Sequence, residues 1–147
     1  MASVGTYLNF PNQTETAFNF YKSVFGGEFS GDGISRFGEA PAEEGAPPMS
    51  DELKNKVMHV ALPILGGHLL MGTDAPEEMG FKVQMGNNSY ICLSPDTYDE
   101  TRRLFAALSE GGKVEMDLKM MFWGSLYGSC CDKFGVQWMF DCVESAT

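Results

Sequence analysis

Apolar residues change their period along this chain, and the changes mark out its elements. Residues 4–10 are short and β-prone, and Pro11, which cannot donate to a ladder, ends them. Ala17, Phe20, Tyr21, Val24 and Phe25 then fall at i, i+3, i+4, i+7 and i+8, which predicts a helix to about Phe25. Asn12-Gln13-Thr14-Glu15 has the spacing of a capping box at its start, and Gly26-Gly27 stops it. Residues 28–37 read as a second strand, weakened by Gly31 and Gly33. Residues 38–48, rich in Pro, Ala and Glu, have no apolar period and read as a surface loop. Residues 50–55 suit one helical turn. Residues 56–65 and 68–73 are apolar strands around Gly66-Gly67. A two-residue turn there sets Leu65 opposite His68, Val60 opposite Thr73 and His59 opposite Asp74.

The second half repeats the order. Residues 74–86 read as a linker and 87–93 as a strand. Pro95 and Asp96 introduce a helix to about Glu110, with Thr101, Leu104, Phe105 and Leu108 on one stripe and Gly111-Gly112 at its end. Residues 113–118 form the next strand. Residues 122–142 close the chain as two strands about the turn Asp132-Lys133-Phe134-Gly135. Asp96 follows Asn12 by 84 residues and Gly111 follows Gly26 by 85, which implies an internal duplication. The expected fold is α+β: two βαβββ modules, residues 4–73 and 87–143, within one domain spanning 1–147.

Composition narrows the partners. Hydrophobic residues make up 44% of the chain, enough for a real core. The formal net charge of −10, from 20 acids and 10 bases, argues against nucleic acid, whose phosphates need clustered Lys and Arg. No apolar run approaches the ~18–20 residues of a membrane span, and the first ten residues have neither the basic nor the apolar region of a signal peptide. Cys92, Cys130, Cys131 and Cys142 form no C-x-x-C pair and sit in apolar, strand-like text. Free thiols in a reducing cytoplasm are expected.

Candidate chemistry is sparse. In the expected register the two histidines, His59 and His68, are roughly 20 Å apart and cannot share an ion within one chain. His59 beside Asp74 is the candidate catalytic pair: the carboxylate would orient the imidazole and favour its charged form. The competing reading, and the one given more weight, is a structural His–Asp pair at a hairpin end. His68, beside the turn, should face solvent. Phe122, Trp123, Tyr127 and Met139 are candidate ligand-binding residues, able to line an apolar pocket for a flat molecule. Trp138 reads as core, and Met116, Met120 and Met121 as adaptable packing. No serine sits in G-x-S-x-G, no P-loop is present, and nothing argues for a lowered pKa at Cys130 or Cys131. Asp51-Glu52 and Glu43-Glu44 read as solvated charges.

The local text resembles a known superfamily. Residues 17–27, AFNFYKSVFGG, are similar to the first helix of the glyoxalase/bleomycin-resistance/extradiol-dioxygenase (vicinal oxygen chelate) superfamily. Val57-Met58-His59-Val60-Ala61-Leu62, Gly66-Gly67, Leu70-Met71 and Asp74 resemble its PhnB-like branch. Phe122-Trp123-Gly124, Tyr127-Gly128 and Asp132-Lys133-Phe134-Gly135-Val136-Gln137-Trp138 resemble that branch's F-W-G, x-G and D-P-F-G-x-x-W signature. The resemblance implies modules that cup their sheets around a cavity, and pairing as a homodimer. It places the superfamily's metal ligands at about Gly5, Leu70, Asn88 and Met139, of which only Asn88 could ligate, and weakly. No cofactor is therefore expected. Some members carry a 3-demethylubiquinone methyltransferase-like label, but no glycine-rich nucleotide fingerprint follows a strand here. Three readings remain open. The first is a PhnB-like protein binding a small, partly apolar molecule in the sheet cavity. The second is a metal-dependent lyase, isomerase or dioxygenase with His59 as a ligand. The third is a non-catalytic, antibiotic-resistance-type protein that sequesters its ligand.

Overall fold

The chain adopts two compact units, Met1–Gln84 and Met85–Thr147, each built on one four-stranded sheet. The computed structural model describes residues 2–41 and 44–144. Ala42 and Glu43, part of the expected loop and of the acidic pair Glu43-Glu44, lie outside the described residues.

In the first unit, β1 (Thr6–Phe10) leads into α1 (Thr14–Phe25), followed by β2 (Ser35–Arg36), a short helix α2 (Asp51–Asn55), β3 (Val57–Ile64) and β4 (His68–Asp74). The sheet order is β1-β4-β3-β2, with β1 parallel to β4 and the other pairs antiparallel. In the second unit, β5 (Ile91–Leu93) leads into α3 (Tyr98–Ser109), then β6 (Lys113–Met120), β7 (Leu126–Cys131) and β8 (Gln137–Cys142). The order is β5-β8-β7-β6, with β5 parallel to β8. Both sheets place the module's last strand beside its first. Helices α1 and α3 have 12 residues each. This is the expected α+β arrangement of two βαβββ modules. No helix among the described residues is long and apolar enough to cross a membrane.

Helices α1 and α3 each bury one stripe against their sheet. On α1 the buried residues are Thr14, Ala17, Phe18, Tyr21 and Val24, so Phe18 takes the place expected for Phe20. Phe18 meets Phe10 and Tyr21 edge-to-face, at centroid distances of 6.4 and 5.5 Å. On α3, Thr101, Leu104 and Leu108 are buried, and Phe105 meets Phe140 edge-to-face at 5.4 Å.

Four local expectations are corrected. The strand expected over 28–37 is reduced to Ser35–Arg36, because the chain turns at Ser30, whose carbonyl accepts from Gly33 N at 3.2 Å. The strand expected over 87–93 begins only at Ile91. The Ser89 carbonyl is taken by the Gln137 side-chain amide at 2.8 Å rather than by a ladder partner. The turn between β3 and β4 holds three residues, Leu65–Gly67, with Gly66 and Gly67 at φ 69° and 84°. Ile64 therefore faces His68, and Val60 faces Gly72. A one-residue slip exchanges the faces of a strand, so His59 is no longer opposite Asp74. Finally, Asn12-Gln13-Thr14-Glu15 is no capping box. Gln13 occupies the cap position without a side-chain bond, and the Thr14 amide donates instead to Asp74 Oδ1 at 3.0 Å. Helix α3 is capped locally, by Thr97 rather than by the expected Asp96: Thr97 Oγ1 accepts from Glu100 N at 3.1 Å.

Asp74 is only 5% exposed, and its other oxygen accepts from Val57 N at 2.9 Å. Removing it leaves two buried amides unpaired, so Asp74→Ala is expected to cost about 2–4 kcal/mol in urea denaturation. Glu15→Ala, which breaks only a partly exposed ion pair to Arg36, should cost under about 1 kcal/mol.

Candidate functional site

Side-chain alternation divides the second sheet into two faces. Leu126, Gly128 and Cys130 pair with Cys142, Phe140 and Trp138 on the buried helix side. The opposite face, open in the sense that it is turned away from α3, carries half-buried Tyr127 across from half-buried Asp141, buried Ser129 across from half-buried Met139, and half-buried Cys131 across from buried Gln137. On β5, Cys92 sits beside Met139 and extends this face.

The β7–β8 turn is fixed by Asp132. Its Oδ1 accepts from the amides of Phe134 and Val136 at 2.8 and 3.0 Å, and its Oδ2 from Trp138 Nε1 at 2.8 Å. Trp138 is fully buried and belongs to the core, as expected. The D-K-F-G-V-Q-W text thus has a structural reason: the acid needs two amides of its own turn and one indole a turn away.

The four expected ligand-binding residues form one continuous run. Phe122 and Trp123 lie between β6 and β7. Phe122 is 97% exposed and Trp123 54%. Phe122 meets Trp123 edge-to-face at 4.9 Å, and Trp123 meets Tyr127 at 6.3 Å. The Tyr127 hydroxyl donates to Met139 Sδ at 3.4 Å. Two further residues of this face escape a reading of the sequence. Cys92 is exposed, and its thiol is pushed up by burial of the sulfur and by the Asp141 charge. Asp141 Oδ1 is buried and has no hydrogen-bond partner among the described residues. Alternation from Met139 reaches Asp141, and the parallel β5–β8 pairing that the repeat implies reaches Cys92. Cys130, on the buried side, is pushed up to about 12 by burial, then by neighbouring Asp132.

In the first sheet, His59 lies on the open face and stacks on Tyr7, with centroids 5.8 Å apart and an interplanar angle of 29°. Asp74 faces the other way, toward α1. The expected His59–Asp74 pair does not form. His68 is half-buried rather than solvent-facing, and Nε2 is bonded to Thr6 Oγ1 at 2.9 Å. Of the places where the resemblance puts metal ligands, Leu70 is fully buried on the helix side, Gly5 and Asn88 lie outside the strands, and Met139 alone is on an open face. Among the described residues no group of three or more His, Cys, Asp or Glu side chains could hold a metal ion. The donors present do not fit the superfamily's metal centre.

Comparison with known proteins places this geometry. A family model described as 3-demethylubiquinone-9 3-methyltransferase matches residues 2–140. The crystal structure of protein PA1353 from Pseudomonas aeruginosa is similar with a TM-score of 0.81 and 31% identity, covering 99% of this chain and 100% of that one. A putative 3-demethylubiquinone-9 3-methyltransferase, PhnB protein, from Bacillus cereus is similar with a TM-score of 0.72 and 24% identity, covering 97% and 100%. A glyoxalase/bleomycin resistance protein/dioxygenase family enzyme from Burkholderia phytofirmans PsJN shares the fold, with a TM-score of 0.57 and 14% identity over 94% and 97% of the two chains. With a match over nearly its whole length and the paired βαβββ sheets in place, the chain belongs to the family described as 3-demethylubiquinone-9 3-methyltransferase, and it shares its fold with a glyoxalase/bleomycin resistance protein/dioxygenase family enzyme.

Proposed function

We propose that this protein binds a small, partly apolar molecule on the open face of its second sheet, against Trp123, Tyr127 and Met139, with Phe122 at the rim. The observation that carries the reading is the half-exposed Trp123, held edge-on by Tyr127 beside a thioether and beside a second, almost fully exposed aromatic ring. A flat ligand seated there would remove apolar surface of both partners from water, at about 25 cal/mol per Å². The thioether is a weak acceptor, so the Tyr127 hydroxyl can turn from Met139 to a ligand acceptor at little cost.

Methyl transfer is not part of the proposal, although the family's description names it. The βα junctions are Pro11-Asn12-Gln13 and Ser94-Pro95-Asp96-Thr97, without the glycines that let a backbone approach a nucleotide. Without Asp74 beside it, His59 has no oriented carboxylate, and the proposal gives it no proton-transfer role. Pairing of two copies and a cytoplasmic setting belong to the same reading. The four free cysteines support the second.

Calorimetric titration with 1-naphthylmethanol tests the proposal. Trp123→Ala should weaken binding about tenfold or more. Wild-type affinity in Trp123→Ala and in Tyr127→Ala would overturn the proposal. Iodoacetamide labelling followed by mass spectrometry gives a second check. Cys92 should react at about pH 8, more slowly than an ordinary thiol and faster as the pH rises, because its thiolate is disfavoured. Saturating ligand should protect it. Cys130 and Cys142, both buried, should stay unlabelled until the protein unfolds.

A further inference from the structure

Asp141 sits on β8 directly across from Tyr127, on the face that carries Met139 and Cys92. One of its carboxylate oxygens, Oδ1, is buried and has no hydrogen-bond partner, and no Lys or Arg is paired with it among the described residues. The donor opposite it in the ladder, the Tyr127 hydroxyl, is turned to Met139 Sδ instead. The Cys92 thiol is pushed up by burial and then by the Asp141 charge. Ser125, which precedes β7 and is 1% exposed, also has an unpartnered hydroxyl oxygen. Buried acceptors are nearly always satisfied, and one that is not costs folding free energy.

We propose that Asp141 is the polar anchor of the second-sheet site, and that the molecule bound there is a protonated amine on a flat apolar frame. This rests on the reading that Trp123, Tyr127 and Met139 form a binding face. A carboxylate can only accept, so the ligand must bring the donor. Rotation of the Asp141 carboxylate about its last side-chain bond presents Oδ1 to the face, where an ammonium N–H satisfies it by a charge-assisted bond. The Tyr127 ring, across the ladder from the carboxylate and in contact with Trp123, favours a cation over a neutral group. A chain of net charge −10 draws cations and repels anions of the same frame.

The test compares 1-naphthylmethylamine, 1-naphthylmethanol and 1-naphthoate by calorimetric titration at neutral pH and low salt. Wild-type protein should bind the amine at least about tenfold more tightly than the alcohol, and the carboxylate most weakly. Asp141→Asn should bring the amine to within about threefold of the alcohol, because the amine loses the charge-assisted part of its bond. Asp141→Ser should behave alike. Both variants should melt at or above the wild-type temperature, since both remove the charge of a carboxylate with a buried, unpaired oxygen. Equal affinity for amine and alcohol in wild type, or an amine preference that survives both substitutions, overturns the assignment of Asp141 and leaves the aromatic face standing. Binding of none of the three overturns both.

Discussion

Asp132 fixes what the second sheet shows to solvent. A carboxylate that is 3% exposed is costly to bury, and three N–H groups offset that cost: two amides of its own turn and the indole of Trp138. These bonds set the point at which β7 ends and β8 begins. The register follows, and with it the assignment of every side chain on these two strands to a face. Trp138, Phe140 and Cys130 go inward. Tyr127, Met139 and Asp141 go outward. A slip of one residue would exchange the sets, burying a tyrosine hydroxyl and a carboxylate and exposing the largest core ring.

The first module meets the same need with a different acid. Asp74, the last residue of β4, ties the start of α1 to the start of β3 through its two oxygens. Both acids are bonded to backbone amides, and both stand at strand ends where a sheet would otherwise fray. The two modules share strand order and helix length but not the position of this acid, so the duplication has kept the topology while changing the bond that secures it. The site side chains depend on these bonds without touching them.

Much of this was legible along the chain. The periodicity of residues 17–25 and 101–108 and the Gly-Gly stops identify both helices, and the offset of 84 residues identifies the repeat. The run Phe122, Trp123, Tyr127, Met139 was legible because its members lie close in sequence or directly across a hairpin. What was not legible is non-local. The cap of α1 comes from a residue 60 positions away, so the local Asn12–Glu15 spacing misleads. The β3–β4 register turns on whether Leu65 joins the turn, which Gly66-Gly67 alone does not decide. That one residue separates a His59–Asp74 pair from a His59 stacked on Tyr7 with Asp74 bonded to amides. Cys92 reaches the site only through a parallel pairing that closes across the helix and two intervening strands.

In the proposed function, the open face of the second sheet, with Met139 at its centre, is where this protein takes its ligand. Methionine methyl resonances report it directly. With methyl-labelled methionine and assignment by substitution, saturating 1-naphthylmethylamine should shift the Met139 signal markedly through the ring current of the bound frame, while Met79 stays in place. A Met139 resonance that does not move at saturation would contradict the account.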